Sequence, residues 1–185
     1  MMKKILLFTL ISVLGYTHVS AQDILFGAKA GLNFASVFGD NTDDYETVTA
    51  FNYGVMAEIP ISDSFSFQPE VLYSGQGYSF GDNTVALNYL NVPLLAKYYV
   101  VKGFSLEAGP QVGFLLNTND DGLGIEDDFD TVDFGINLGL GYKLDNGLNF
   151  SARYNIGLTD IDDIEGFSGT NKNGVFQVSI GYFFF

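Results

Sequence analysis

Residues 132–144 read Val-Asp-Phe-Gly-Ile-Asn-Leu-Gly-Leu-Gly-Tyr-Lys-Leu. Val132, Phe134, Ile136, Leu138, Leu140, Tyr142 and Leu144 share one parity, and Asp133, Gly135, Asn137, Gly139, Gly141 and Lys143 share the other. Successive side chains of an extended strand point to opposite faces, so a strict period of two makes a ribbon with one greasy and one polar side. A helix would scatter the same residues around its circumference. The same alternation recurs outward from this stretch, at 26–34, 51–59, 65–74, 90–98, 104–114, 148–157 and 176–184, which gives eight strands in all. Pro69, Pro93 and Pro110 interrupt three of them, and bulges or local bends are expected there.

The connections alternate in length. Ser62-Asp63-Ser64, Lys102-Gly103 and Asp145-Asn146-Gly147 have turn chemistry, whereas 37–50, 79–86, 118–131 and 159–173 are longer and mostly acidic. Short turns at one rim, long loops at the other and an even strand number predict an all-β fold: an eight-stranded antiparallel up-and-down transmembrane β-barrel with both termini on the short-turn side.

Alternation alone would also suit a soluble barrel of lipocalin type, which turns its apolar face inward. The polar parity decides between them. A solvated outer face would be rich in Lys, Glu and Thr; here it is dominated by Gly and Asn, which suit a crowded, narrow lumen. The apolar parity carries rings near both strand ends. Phe65, Tyr98, Phe104, Tyr142, Phe150, Tyr182 and Phe184 fall toward the turns, and Phe34, Phe51, Tyr53, Phe114, Phe134 and Phe176 toward the loops, as two interfacial girdles would.

Composition narrows the chemistry. The 185 residues hold 22 acids, 8 bases, one His and no Cys or Trp, with a formal charge of −14, so nucleic acid is a poor partner. Residues 1–21 read as a signal peptide: Lys3 and Lys4, an apolar run to about Tyr16, then Val19-Ser20-Ala21 before Gln22. Residues 22–185 form the predicted barrel domain. His18 falls in the leader, so the processed chain offers neither imidazole nor thiol for nucleophilic or His-based metal catalysis. No enzymatic activity is expected.

On the inward parity lie Lys29, Glu58, Glu70, Lys97, Glu107, Lys143 and Arg153. They read either as a structural network in a lumen that eight strands leave just wide enough for side chains, or as a gate or proton path. The long loops hold most of the acids. In the third, Asn117, Asn119, Asp121 and Asp128 approximate the ligand spacing of a calcium loop, with Asn in first place and Asp in last. Calcium there, or a plain solvated acidic loop, are the two readings; no other cofactor is expected.

Gly27-x-Lys29-x-Gly31-Leu32-Asn33-Phe34, Tyr89-Leu90-Asn91-Val92-Pro93-Leu94-Leu95-Ala96-Lys97-Tyr98, Gly109-Pro110-Gln111-Val112-Gly113 and the closing Ile180-Gly181-Tyr182-Phe183-Phe184 together resemble the small PorT-like outer-membrane β-barrels of Bacteroidetes. In architecture the chain also resembles OmpX-type barrels. Asn91 stands where that family commonly carries an acid, which removes a lumen pair with Lys97. The resemblance implies the outer membrane of a Gram-negative cell, extracellular loops and periplasmic termini. It also implies insertion through the C-terminal strand by the barrel-insertion machinery, with contacts to outer-membrane lipid and to envelope or secretion proteins. The expected role is non-enzymatic: acidic loops displayed for adhesion, recognition or envelope structure. An accessory secretion component and a small-ligand barrel are the alternatives.

Overall fold

The structure, a computed structural model, describes residues 24–39, 45–81, 83–119, 131–159 and 171–184. Eight strands follow in chain order: β1 (Leu25–Gly39), β2 (Tyr45–Ser62), β3 (Phe65–Phe80), β4 (Asn83–Val101), β5 (Phe104–Asn119), β6 (Val132–Lys143), β7 (Leu148–Gly157) and β8 (Asn171–Phe183). Each pairs antiparallel with its sequence neighbour, and β8 returns to β1, closing the barrel. Closure leaves no sheet edge along the paired wall, so the ladder satisfies the backbone without water, as hydrocarbon demands. The leader and the acidic stretches around Asp43, Asp121, Asp128 and Asp163 lie outside the described residues.

The alternation of β6 sets a parity that runs around the lower barrel. Phe134, Leu138 and Tyr142 point out and are exposed, while Asp133, Asn137 and their polar neighbours are buried in the lumen. Phe134 and Tyr142 are eight residues apart on β6. That is about 27 Å of strand at ~3.4 Å per residue, or about 21 Å along the axis at a tilt of ~40°, close to the ~25 Å apolar band of outer-membrane barrels. Outward Phe26, Tyr98, Phe150, Tyr182 and Phe184 join the lower girdle, and Phe34, Tyr53, Phe114 and Phe176 the upper one. Tyr53 stacks on Tyr73 with centroids 5.0 Å apart.

Two expectations need correction. The second connection is not a long loop: Phe80 pairs with Asn83, so only Gly81 and Asp82 join β3 to β4, and Gly81 takes φ +58°. The strands also run further at this rim than the alternation suggested, and β2 and β4 reach 18 and 19 residues. Nor do bulges form at Pro69, Pro93 or Pro110. Pro69 opposes Leu94 and Leu72 opposes Asn91 in one unbroken register, and Pro110 opposes Ile136 in a ladder without a shift. A proline deletes a ladder donor but inserts no residue, so pairing resumes in step on either side. The register shifts fall instead between Thr47 and Asn52, Pro60 and Ser62, Asn88 and Tyr89, and Tyr99 and Val101.

The longer strands also reverse the parity. Above Leu90 polar side chains take the outward face of β3 and β4: Asn88 donates to Asn117 at 2.7 Å, and the Ser79 and Thr84 hydroxyls meet at 3.2 Å. The inward ones turn apolar, and Val37, Tyr78, Val85, Leu87 and Tyr89 form a buried cluster with Tyr45 and Leu115 against it. A wall that is greasy outside below this level and greasy inside above it passes from a hydrocarbon surround to an aqueous one.

Candidate functional site

The lumen holds three storeys. In the lowest, nearest the short turns, Lys29, Glu58, Glu70, Lys97, Glu107, Lys143 and Arg153 meet in one unbroken relay of alternating sign. Lys143 reaches Glu58 at 2.8 Å, Lys97 bridges Glu58 and Glu107 at 3.4 Å each, and Arg153 binds Glu107 at 2.7 Å and Glu70 at 2.8 Å. Lys29 closes the relay on Glu70 at 3.5 Å. Only Lys97 and Glu107 are cross-strand partners in the ladder; the other pairs reach through the lumen between strands that are not ladder neighbours, such as β7 and β3.

Arg153 is the keystone. Its Nη1 and Nη2 donate to both oxygens of Glu70, while Nε donates to Glu107. A planar guanidinium is the side chain that can serve two carboxylates at once with fixed geometry. Neutral groups complete the set. Gln68 donates to Glu70 at 2.6 Å and accepts from Lys97 at 3.0 Å, and Glu58 also accepts from the Tyr99 hydroxyl at 2.6 Å and from Ser66 at 3.1 Å. The polar-face glycines make room for the relay. A Cβ at Gly139 would lie 2.5 Å from Cγ of Arg153, and one at Gly141 would collide with the Glu107 carboxylate.

Only Lys143 of the seven is open to solvent, with 23% of its side chain exposed; the others show 4% or less. Its ammonium lies over the rings of Tyr99 and Phe183, at 5.2 and 5.5 Å. It borders a vestibule of about 510 Å³ at the turn rim, lined also by Glu58, Ser62, Ser66 and Lys102.

The middle storey is uncharged. Asn33 donates to Ser74 at 2.9 Å and to the Gly75 carbonyl at 2.8 Å, and its oxygen accepts from Asn52 at 2.9 Å and Gln177 at 3.1 Å. Ser179 donates to Asn52, and Asn137 to Gln111. Asp133 stands above this layer, accepting from Thr159 at 2.6 Å and Asn173 at 3.0 Å, and the apolar cluster around Tyr78 and Leu87 closes the top.

The outer membrane protein beta-barrel domain family matches residues 20–163 of the sequence. The chain belongs to that family. No curated protein sequence matches it. Among solved structures it is similar to Neisserial surface protein A, with a TM-score of 0.60 and 12% identity over 86% of this chain and 97% of that one. It is also similar to Ail, the attachment invasion locus protein of Yersinia pestis, with a TM-score of 0.52 and 13% identity over 88% of this chain and 100% of the other. At such identities the likeness is one of fold.

For this outer-membrane barrel, inward parity located the seven charges in the sequence, yet it left out residues that complete the lumen. Tyr99 continues the inward parity of β4 two residues past Lys97, and Asp133 sits on the polar parity of β6; both were legible by extending the alternation. Gln68 and the Asn33–Asn52 layer were visible as inward polar residues, though not as a network. Of the calcium-like set, Asn117 and Asn119 belong to β5 rather than to a loop, and the Asn117 side chain already accepts from Asn88. Asp121 and Asp128 lie outside the described residues. Among the described residues no cluster of three or more His, Cys, Asp or Glu could hold a metal.

Proposed function

We propose that this chain is a closed, non-enzymatic outer-membrane barrel of the PorT-like kind found in Bacteroidetes, whose rigid wall carries acidic extracellular loops for adhesion or recognition, with both termini in the periplasm. One observation carries the reading: side chains fill the lumen from the Lys143–Lys29 relay up to the Tyr78–Leu87 cluster. A barrel without room for transit has its working surfaces at the two rims, and the long-loop rim concentrates the negative charge. The names of Neisserial surface protein A and of Ail, the attachment invasion locus protein, point the same way. A ligand-holding barrel is the weaker reading because the ion relay occupies the space that a small molecule would need.

Heat-modifiable gel migration combined with protease treatment of whole cells tests the proposal. The expected result is a fast-migrating folded form that is cut in the long loops from outside. Cleavage confined to the short turns, or migration indifferent to heating, overturns it.

A further inference from the structure

The outward face of the β8–β1–β7 wall carries a cluster that neither the lumen nor the loops account for. Lys172 pairs with Phe38 across β8 and β1, and Ser36 pairs with Gly174. Tyr154, on β7 opposite Phe176, reaches up the wall so that its hydroxyl covers Gly174: a Cβ there would lie 2.9 Å from the Tyr154 oxygen and 3.1 Å from the Phe38 ring. Lys172, Ser36 and the Tyr154 hydroxyl thus flank Gly174, where the missing side chain lets that hydroxyl and the Phe38 ring close over the backbone. Directly below stand Phe34 and Phe176, tilted against each other at 6.2 Å.

The level is informative. Lys172 is four residues above Phe176 on β8, about 10 Å higher along the axis at ~3.4 Å per residue and ~40° tilt. That is headgroup depth for a lipid whose chains lie against the upper aromatic girdle. The charge is informative too. The chain is acidic, with 22 acids against 8 bases, yet this outward position at the membrane interface holds a lysine beside a serine, a tyrosine and phenylalanines.

We infer that Lys172, Tyr154 and Ser36 form an interfacial site for the phosphate-bearing headgroup of an anionic membrane lipid, with Phe34 and Phe176 below receiving its chains. The ammonium supplies the charge, and the two hydroxyls donate to phosphate oxygens. The site rests on the reading of this chain as a membrane barrel and specifies which lipid the wall prefers.

The test folds the full barrel into phosphatidylcholine vesicles with and without one-fifth phosphatidic acid. A third arm is pure phosphatidylcholine with millimolar inorganic phosphate. Heat-modifiable migration gives the unfolding midpoint in each arm. Phosphatidic acid is expected to raise the midpoint by several degrees in the native chain. Lys172→Gln should abolish the rise and Tyr154→Phe should reduce it, whereas Lys102→Gln, in a periplasmic-side turn, should keep it whole. An equal rise in Lys172→Gln, no rise in the native chain, or a rise reproduced by inorganic phosphate alone each overturns the site. A chain that never acquires heat-modifiable migration in any vesicle fails the barrel reading instead, so the two failures are distinguishable. Both leaflets carry the lipid, so insertion direction does not affect the outcome.

Discussion

At the scale of single residues the lumen depends on Arg153. It is fully enclosed and its three nitrogens serve Glu70 and Glu107. Taking charges out of water is costly, and the pairing offsets that cost only while both partners remain. Arg153→Ala would leave two buried carboxylates facing a cavity. It is expected to destabilise the folded barrel by about 3–5 kcal/mol, read as a drop in the urea midpoint of the heat-modifiable form in vesicles. Arg153→Lys keeps the charge but cannot bind both oxygens of Glu70 while also reaching Glu107, so it should recover only part of the loss. An alanine variant as stable as the native chain would mean that the relay is incidental to folding. Much of this was legible beforehand, because Lys29, Glu58, Glu70, Lys97, Glu107, Lys143 and Arg153 share the inward parity. Partner choice was not, because Arg153 and Glu70 stand on β7 and β3, and which strands face one another across a lumen depends on closure and tilt, which a linear pattern does not carry.

Among the strands, the informative feature is the reversal of parity above Asn88 and Asn117. In β3 the outward apolar residues are odd-numbered up to Tyr73, while Tyr78 is apolar and inward; in β4 Leu90, Val92 and Leu94 point out, but Val85, Leu87 and Tyr89 point in. In sequence this change of phase looks like a loss of alternation, which is why 79–86 read as a loop although β3 and β4 run through it to a two-residue turn. The strand persists; its surroundings change. A charge placed on the outward face should therefore cost different amounts on the two sides of the boundary. Leu138 lies midway between the two β6 aromatics and Leu138→Arg should cost about 2–4 kcal/mol, while Asn88→Arg, at the water-facing level, should cost about 0–1 kcal/mol. Both are measured by denaturant titration in vesicles, and equal costs would remove the boundary. Inside the same level, Leu87 is fully buried. Leu87→Ala should cost about 2–5 kcal/mol, as in the core of a soluble protein.

For the whole molecule, the barrel is closed twice, by unlike means and at opposite ends. The relay from Lys143 to Lys29 closes the turn side with paired charges, and the cluster of Val37, Tyr78, Val85, Leu87 and Tyr89 closes the loop side with apolar packing. Between them the Asn33–Asn52 layer ties β1, β2, β3 and β8 together through amides. Barriers in series pass only what the tightest allows, so opening one of them should not make a pore. Arg153→Ala is therefore expected to lose stability while its planar-bilayer conductance stays at the native baseline, because the amide layer and the apolar cluster remain. The same holds for Leu87→Ala, which weakens the upper closure and leaves the ion relay in place. Combining the two is the informative case: with both ends loosened, ions have only the neutral middle storey to cross, and conductance should rise above either single variant. A steady current from Arg153→Ala alone would show that the charged relay is the sole barrier, and the seven charges would then be a gate rather than a brace.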